Sequence, residues 1–177
     1  MSNEVAVADT IPDIVEPRSL NDYLEVMARA IFQAGVRWKQ IADHWSAYRT
    51  AYENFDVRRV ALYDDLDIER VLETPGVLRS QRKARAIVTN AKALCETQTE
   101  CGDLQAYLRS FDSYEALAKD MKKRFAFIGD LNVWYFLFRI GEPVPRFEEW
   151  IDTIDGTHPR MREMVDRARA QGRSPEV

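Results

Sequence analysis

The segment FQAGVRW, at positions 32–38, places an amide, a flexible turn, a small apolar side chain, a cation and an indole within seven residues. An indole beside an open turn can stack on a nucleobase, and an apolar side chain on such a turn can wedge into a base stack. Trp38 and Val36 are the two residues suited to these tasks. The alternative is that Trp38 and Trp45, seven positions apart, form part of a core stripe.

A second segment combines cations with a glycine turn. Lys122, Lys123 and Arg124 precede the apolar connection FAFIGD, in which Gly129 stands just before a helix that begins near Leu131. A helix N-terminus presents unpaired N–H groups and partial positive charge, which suit a phosphate, and glycine lets the phosphate approach closely. The neighbouring cations add attraction that is independent of sequence. The alternative is a tight turn between two core helices with a solvated basic face.

Other catalytic and metal chemistry has little support. His44 and His158 lack a Cys or His partner at ligand spacing, and Cys95 and Cys101 lie six positions apart with no His nearby. We therefore expect these four residues to be structural or solvent-facing, without a metal site or a disulfide. The chain has no glycine-rich nucleotide-binding loop, and no spacing singles out a pair of carboxylates.

Apolar residues at helical spacing organise the rest of the chain. Ser19, followed by Asp22 at capping-box spacing, predicts the start of the first helix. The predicted helices cover about residues 20–34, 38–53, 57–63, 66–73, 81–94, 104–111, 113–124, 131–140, 148–154 and 160–170. No alternating apolar run bounded by turn residues predicts a strand, so the expected fold class is all-α.

Length and composition indicate one domain with short terminal extensions. A chain of 177 residues with 46% hydrophobic content can bury a core. Because Pro12 and Pro17 disfavour a helix, we expect residues 1–18 to form a flexible N-terminal arm. Residues 19–155 make up the helical domain, and residues 156–177 are expected to form a charged C-terminal helix or tail.

Charge and hydropathy exclude several classes of protein. No apolar stretch approaches the ~20 residues needed to cross a bilayer. The acidic start lacks the pattern of a signal peptide, so we expect a cytoplasmic protein without membrane contact. The net charge of −4 does not by itself predict nucleic-acid binding. A local basic patch would still attract phosphate over about one Debye length, ~10 Å.

Three motifs resemble those of the DNA-3-methyladenine glycosylase I family. QAGVRW at 33–38 is similar to the family's QAGLSW-type turn. FDVRRVALYDDLDIERVLETPGVLRSQRKARAIVTNAKAL at 55–94 has the family's Phe-Asp, Ile-Glu-Arg, Gly-Val-x-Arg and Lys…Asn-Ala elements at similar spacings. EALAKDMKKRFAFIGDLNVWYFLFRIG at 115–141 is similar to the segment that leads into its helix-hairpin-helix turn. The motifs keep one register over about residues 20–141, with one residue deleted before Phe125.

The resemblance implies a two-lobed helix-hairpin-helix DNA glycosylase-like fold, with a cleft that receives a base flipped out of the duplex. Trp38 matches the aromatic residue that stacks on the alkylated base. The implied base pocket consists of Trp38, Gln33, Ala30 and Trp134. The implied DNA-binding residues are Val36 and Arg37 on the turn and Lys122, Lys123, Arg124 and Gly129 at the hairpin.

The implied reaction is hydrolysis of the N-glycosidic bond of a 3-methyladenine-like base, and the implied partner is damaged or abasic duplex DNA, bound by a monomer. The chain nevertheless departs from the family at polar positions. Ala30 stands where the family has a pocket glutamate. Residues 1–18 contain no Cys, His, Tyr or Trp, and EPVPR at 142–146 replaces the family's C-terminal ligand elements. The resemblance implies a structural zinc site that joins the two ends of the chain, and its ligands are missing here, so we expect no cofactor.

Three interpretations follow from these departures. The chain is a glycosylase that uses another acid, such as Glu25, Glu142 or Glu148, or none. Alternatively, it is a catalytically silent relative that binds DNA. In the third interpretation it is a helical protein-interaction domain, in which Trp38 belongs to the core.

Overall fold

The computed structural model describes residues 10–177, and in these residues the all-α prediction is confirmed. The helices are α1 Leu20–Gln33, α2 Trp38–Asp43, α3 Trp45–Ala51, α4 Val57–Val60, α5 Asp65–Glu73, α6 Gln81–Cys101, α7 Leu104–Leu108, α8 Tyr114–Arg124, α9 Asp130–Arg139, α10 Phe147–Ile151 and α11 Pro159–Ala170. A 3-10 turn, Glu53–Phe55, joins α3 to α4. Residues 10–177 contain no strand, only an isolated bridge between Val144 and Glu176.

Short polar side chains begin several of these helices by accepting hydrogen bonds from the first free N–H groups. Asp64 forms a capping box with Asp67 at the start of α5, and Ser80 accepts from the Lys83 N–H at the start of α6. Ser19 makes no such bond with its side chain. The Asp22 carboxylate instead accepts from the Arg18 N–H at 2.8 Å, a bond that holds the chain where it enters the helix.

The helices form two groups that share α1. On one side, α1 packs against α6, which also contacts α4, α5 and α7. On the other side, α1 packs against α9, which in turn packs against α8. The apolar stripes of α1, α6 and α9 are buried in one continuous core, and burial of this kind supplies most of the stability of such helices.

The chain before α1 differs from the predicted flexible arm. Ile11 is buried, the Val15 N–H donates to the Arg139 carbonyl at 2.6 Å, and the Arg139 Nε donates to the Asp13 carbonyl at 2.9 Å. Backbone groups with such partners are held by the fold, so the prediction of a loose arm is wrong for residues 11–18. The rest of that prediction, residues 1–9, lies outside the described residues.

The C-terminal segment also packs on the body of the protein. The helix α11 lies in the segment predicted to form a charged helix or tail, and its inner face buries Met161, Met164, Val165 and Ala168. Beyond α11, the Glu176 carboxylate accepts from the Phe147 N–H at 2.6 Å and from the Arg169 Nε at 2.8 Å. Within residues 10–177, no helix is both long enough and apolar enough to cross a membrane.

Candidate functional site

The turn between α1 and α2 forms one wall of a cleft. The Ala34 N–H donates to the Ala30 carbonyl, which ends α1, and Gly35 follows with φ +74°. This left-handed conformation suits glycine because it has no Cβ. The chain then reverses, leaving Val36 half-buried and Arg37 exposed, and α2 begins at Trp38.

The cleft has a volume of about 850 Å³, within the range of small-molecule sites. Its walls come from the turn, from the start of α9 and from the start of α11. Trp38 is half-buried in the wall, where its ring meets the Tyr135 ring edge to face, with the ring centres 5.7 Å apart. The lining residues that matter below are Ala30, Gln33, Trp38, Tyr135, His158 and Arg160.

A hydrogen-bonded chain of three residues lies at the floor of the cleft. The Tyr135 hydroxyl donates to Gln33 Oε1 at 2.6 Å and accepts from Arg139 Nη1 at 3.4 Å. Burial raises the pKa of Tyr135, so the hydroxyl keeps its proton. Gln33 Nε2 is buried and has no partner among the described residues. The amide donor of Gln33 is therefore left unpaired by the described residues.

The cationic side chains around the cleft are mostly paired. Arg37, Lys39 and Arg160 contribute to its lining, but Lys39 pairs with Asp43 at 2.9 Å and Arg160 pairs with Glu163 at 2.6 Å. None of the described lining residues is an Asp or a Glu. Ala30, the position of the expected pocket glutamate in the family, lies in this lining as a buried methyl group. Behind the floor, burial lowers the pKa of Arg29, whose Nε also has no partner in the described part of the chain.

His158 enters the cleft although its sequence context gave no indication of a site. It precedes Pro159, the first residue of α11, and holds the left-handed conformation with φ 44° and ψ 57°. Its Nε2 lies 2.8 Å from the Asp155 carbonyl, which can only accept, so the neutral ring is protonated at Nε2. The lone pair of the neutral imidazole is then on Nδ1.

The three candidate carboxylates lie outside the cleft lining. Glu25 accepts from Trp45 Nε1 at 2.8 Å and from Arg49 Nε at 2.7 Å. Glu142 is buried against Arg109, with two N–O distances of 3.2 Å.

Glu148, the third, pairs with Arg169 and Arg162, and these hydrogen bonds lower its pKa to about 2. Each of the three carboxylates is thus already bound to cationic or indole donors. The structure does not bring any of them together with Trp38.

Trp134 requires a correction, because it belongs to the core and not to the base pocket. Its side chain is fully buried, stacks on Phe138 and Trp150, and donates from Nε1 to the Pro145 carbonyl at 3.1 Å. Tyr135, its neighbour on α9, is the residue whose side chain lines the cleft. One position along a helix is a rotation of about 100°, which is enough to exchange a core-facing residue for a cleft-facing one.

The hairpin before α9 is built as a rigid turn. Asn90 holds it from α6, donating to the Ala126 carbonyl at 3.0 Å and accepting from the Ala126 N–H at 2.6 Å. Asn132 Nδ2 donates to the carbonyl of Phe127, which has φ 58°. Gly129 is exposed and is the N-cap of α9, without a side chain over the free N–H groups.

The cations of the hairpin are partly neutralised. Lys122 Nζ lies 2.7 Å from the Asp130 carboxylate, in the first turn of α9, where a phosphate would bind. Arg124 pairs with Glu100 and Asp120. Lys123 is exposed and forms no ion pair within the described residues.

The α1–α2 turn and the hairpin share one face of the protein. A groove of about 500 Å³ runs between them, with Ala34 on one side and Gly129 on the other. Lys83, which the sequence did not single out, ties the two segments together. Its buried ammonium donates to the carbonyls of Phe32 and Ala34, and it also lies over the Phe127 ring.

The residues present do not fit the zinc site that the resemblance implies. Among residues 10–177 no group of three or more His, Cys, Asp or Glu side chains could hold a metal ion. Cys95 and Cys101 are free thiols on the same helix, α6.

Comparison with known proteins places this geometry in context. The sequence model of the methyladenine glycosylase family matches residues 16–143. The DNA-3-methyladenine glycosylase of Haemophilus influenzae is 30% identical over 131 residues, which cover 62% of this chain and 70% of that protein. DNA-3-methyladenine glycosylase 1 of Escherichia coli is 27% identical over 130 residues, with the same two coverages.

Solved structures agree on the fold. The 3-methyladenine DNA glycosylase I of Staphylococcus aureus superposes with a TM-score of 0.65 at 23% identity, covering 77% of this chain and 84% of that one. Another structure of a 3-methyladenine DNA glycosylase I gives a TM-score of 0.61 at 25% identity, covering 77% of this chain and 86% of that one. The family match ends before α11, so His158 and Arg160 enter the cleft from outside the matched region.

Proposed function

Because the chain belongs to the methyladenine glycosylase family, we propose that it binds damaged duplex DNA and hydrolyses the N-glycosidic bond of an alkylated, 3-methyladenine-like base. The observation that carries the proposal is the position of Trp38. Its indole is half-buried in the wall of an 850 Å³ cleft, directly after a turn that projects Val36 and Arg37. A base flipped into the cleft would stack on this ring, and the turn would occupy the gap left in the duplex.

The DNA would bind to the face that carries the α1–α2 turn and the hairpin before α9. Gly129 and the free N–H groups of α9 suit one backbone phosphate, and Lys123 adds an unpaired cation. We propose a monomer as the active unit, in which one chain supplies all of these groups.

The reaction needs only water besides the DNA. The bond between C1′ of the deoxyribose and the base nitrogen breaks, and its electron pair leaves with the base. The oxygen of water bonds to C1′ and releases a proton. An alkylated purine cation leaves as a neutral base, so positioning supplies much of the required catalysis. Nδ1 of His158 is the candidate acceptor for the proton of water.

The test is base release from alkylated genomic DNA, followed by mass spectrometry of the supernatant. We expect methylated bases to be released by the natural protein and by Trp38→Phe, which keeps an aromatic surface. Trp38→Ala should release little. Equal release by Trp38→Ala and the natural protein would contradict the proposed role of the indole.

A second candidate function, a catalytically silent DNA-binding relative, is favoured by one observation. The described lining of the cleft has no carboxylate to recognise a cationic base or to activate water. This candidate predicts binding to a duplex with an abasic analogue, weakening as salt rises, without release of any base. Absence of both binding and release would leave the protein-interaction domain.

A further inference from the structure

A second, smaller pocket lies where the chain enters α1. Its volume is about 260 Å³, and none of its lining residues belongs to the cleft or to the groove between the turn and the hairpin. The charged residues that line it are four arginines and two acids, Arg18, Arg29, Arg49, Arg139, Asp22 and Glu25. Four positive charges and two negative ones leave this lining with a formal charge of +2.

The two acids do not neutralise Arg29 or Arg139. Glu25 pairs with Arg49 at 2.7 Å, and Asp22 accepts from a backbone N–H just before α1 at 2.8 Å. Within residues 10–177, neither Arg29 nor Arg139 forms an ion pair with a carboxylate. These two are also the least exposed arginines of the lining, so water screens their charge less than that of the other two.

Arg29 keeps its hydrogen-bond donors free. Its Cζ lies 4.5 Å from the centre of the Trp45 ring, which holds the plane of the guanidinium but carries no charge to neutralise it. Nε is enclosed without a partner, whereas Nη1 and Nη2 keep accessible surface and form no hydrogen bond to a described residue. Burial lowers the pKa of Arg29, and the like charges of Arg139 and Arg49 act in the same direction.

Arg139 presents a further free donor to the pocket. Its side chain is 7% exposed, its Nε donates to the Asp13 carbonyl at 2.9 Å, and its Nη1 donates to the Tyr135 hydroxyl at 3.4 Å. Both acceptors are neutral, so they fix the side chain without cancelling its charge. Nη2 has no partner in the described part of the chain and is not enclosed. A donor held in this way loses little side-chain entropy when it binds an anion.

We propose that this pocket binds a phosphate dianion through Nη1 and Nη2 of Arg29 and Nη2 of Arg139. An ionised group out of water costs free energy unless a counter-charge binds it, and the guanidinium fork matches the oxygens of phosphate. A phosphate monoester carries about −1.5 to −2 at pH 7, which matches the formal charge of the lining, whereas a phosphodiester inside a DNA strand carries about −1. The volume lies below the ~300–1000 Å³ of most small-molecule sites and suits a group of this size.

Calorimetric titration of the full chain with inorganic phosphate tests the site directly. In a chloride buffer we expect saturable binding of one phosphate per chain. Acetate offers a carboxylate with a single charge, so its affinity should be about tenfold lower. Absence of saturable phosphate binding, or equally tight binding of acetate, would overturn the proposal.

Two substitutions of Arg29 probe the donors. Arg29→Gln removes the free cation and should weaken phosphate binding about tenfold, because a charge-assisted hydrogen bond is lost. Arg29→Lys keeps the charge but lacks the fork, so a loss of about threefold is expected. Arg58→Gln is the matched control, because Arg58 is exposed, lies outside the pocket and forms no ion pair within residues 10–177. Its affinity for phosphate should equal that of the natural protein.

The melting temperature without phosphate shows whether each variant is folded. Because the Arg29 guanidinium has no hydrogen-bond partner to lose, we expect Arg29→Gln to remain folded. Added phosphate should raise the melting temperature of the natural protein and of Arg58→Gln, but not that of Arg29→Gln. Natural affinity for phosphate in either folded Arg29 variant would contradict the assignment.

Displacement experiments identify the source of the phosphate, which is either the free ion or the end of a DNA strand. A duplex with 5′-phosphate ends and the same duplex with 5′-hydroxyl ends are titrated against protein loaded with inorganic phosphate. Displacement by the phosphorylated duplex alone assigns the site to a DNA end, and displacement by neither assigns it to the free ion. Displacement by both would refute the preference for a dianion. None of these measurements depends on base release, so their failure would leave the proposed function standing.

Discussion

The ion pair at the hairpin leads to a prediction about DNA affinity. Asp130 stands in the first turn of α9, beside the N–H groups that would bind a phosphate, and its carboxylate holds Lys122 at 2.7 Å. In Asp130→Asn the carboxylate charge is removed and Lys122 becomes available to the DNA. We expect this substitution to tighten binding to duplex DNA.

The magnitude follows from two terms. One additional phosphate contact steepens the dependence of log K on log salt by about 0.9, which corresponds to roughly fivefold tighter binding at 0.15 M salt. Removal of a negative charge about 6 Å from a phosphate, in surroundings close to water, contributes about 0.7 kcal/mol or roughly threefold. Because the two terms overlap, the expected gain is about five- to fifteenfold.

The assay is fluorescence anisotropy with a duplex that carries an abasic analogue, titrated at several salt concentrations. Asp65→Asn is the matched control, because Asp65 also stands in the first turn of a helix and also pairs with a cation, Arg85, at 2.9 Å. Both variants change the net charge equally and lose the same interaction with a helix dipole. The reasoning is refuted if Asp130→Asn leaves the affinity unchanged, or if Asp65→Asn tightens binding by the same factor.

Three further predictions concern single residues. Lys83→Met leaves two buried carbonyls unpaired and should lower the free energy of unfolding by about 1–3 kcal/mol. Denaturant titration measures this difference. Unchanged stability would show that water replaces the ammonium group as the donor to these carbonyls. His158→Asn should change the free energy of unfolding by no more than ~0.5 kcal/mol, because asparagine tolerates the left-handed conformation. The variant should release bases at least tenfold more slowly than the natural protein. An unchanged rate would show that the imidazole takes no part in the proposed reaction. Arg169 lowers the pKa of Glu148 to about 2 from an ordinary 4.5, so the stabilisation it provides is present above pH 4.5 and is lost as the pH falls towards 2. Between pH 4.5 and pH 2 the melting temperature of the natural protein should fall about 1–3 °C further than that of Glu148→Gln, a small difference because the ion pair is exposed. Equal losses in the two proteins would contradict a stabilising role for this ion pair.

The sequence by itself determined the family and most of the helices, although the helix predicted over 38–53 is divided at His44 into α2 and α3. Periodic apolar residues and the spacing of three motifs depend on contacts within one or two turns, and these are the relations that a linear pattern records. For the same reason the glycine turn at Gly35 and the hairpin ending at Gly129 could be located in advance. Their shared groove could not, because it depends on Lys83 reaching from α6 to the carbonyls of α1.

Only the tertiary structure decided what the cleft contains. Gln33 and Tyr135 are 102 positions apart, and their hydrogen bond fixes which amide atom is left free. Trp134 and Tyr135 share a helix and an aromatic character, and only the rotation of α9 in the core puts the first inside and the second in the cleft. The three candidate carboxylates satisfied every local requirement of an acid, but each is bound by cations that packing brings from distant positions. Which side chain pairs with which depends on the three-dimensional path of the chain, and the local spacing of residues does not encode that path.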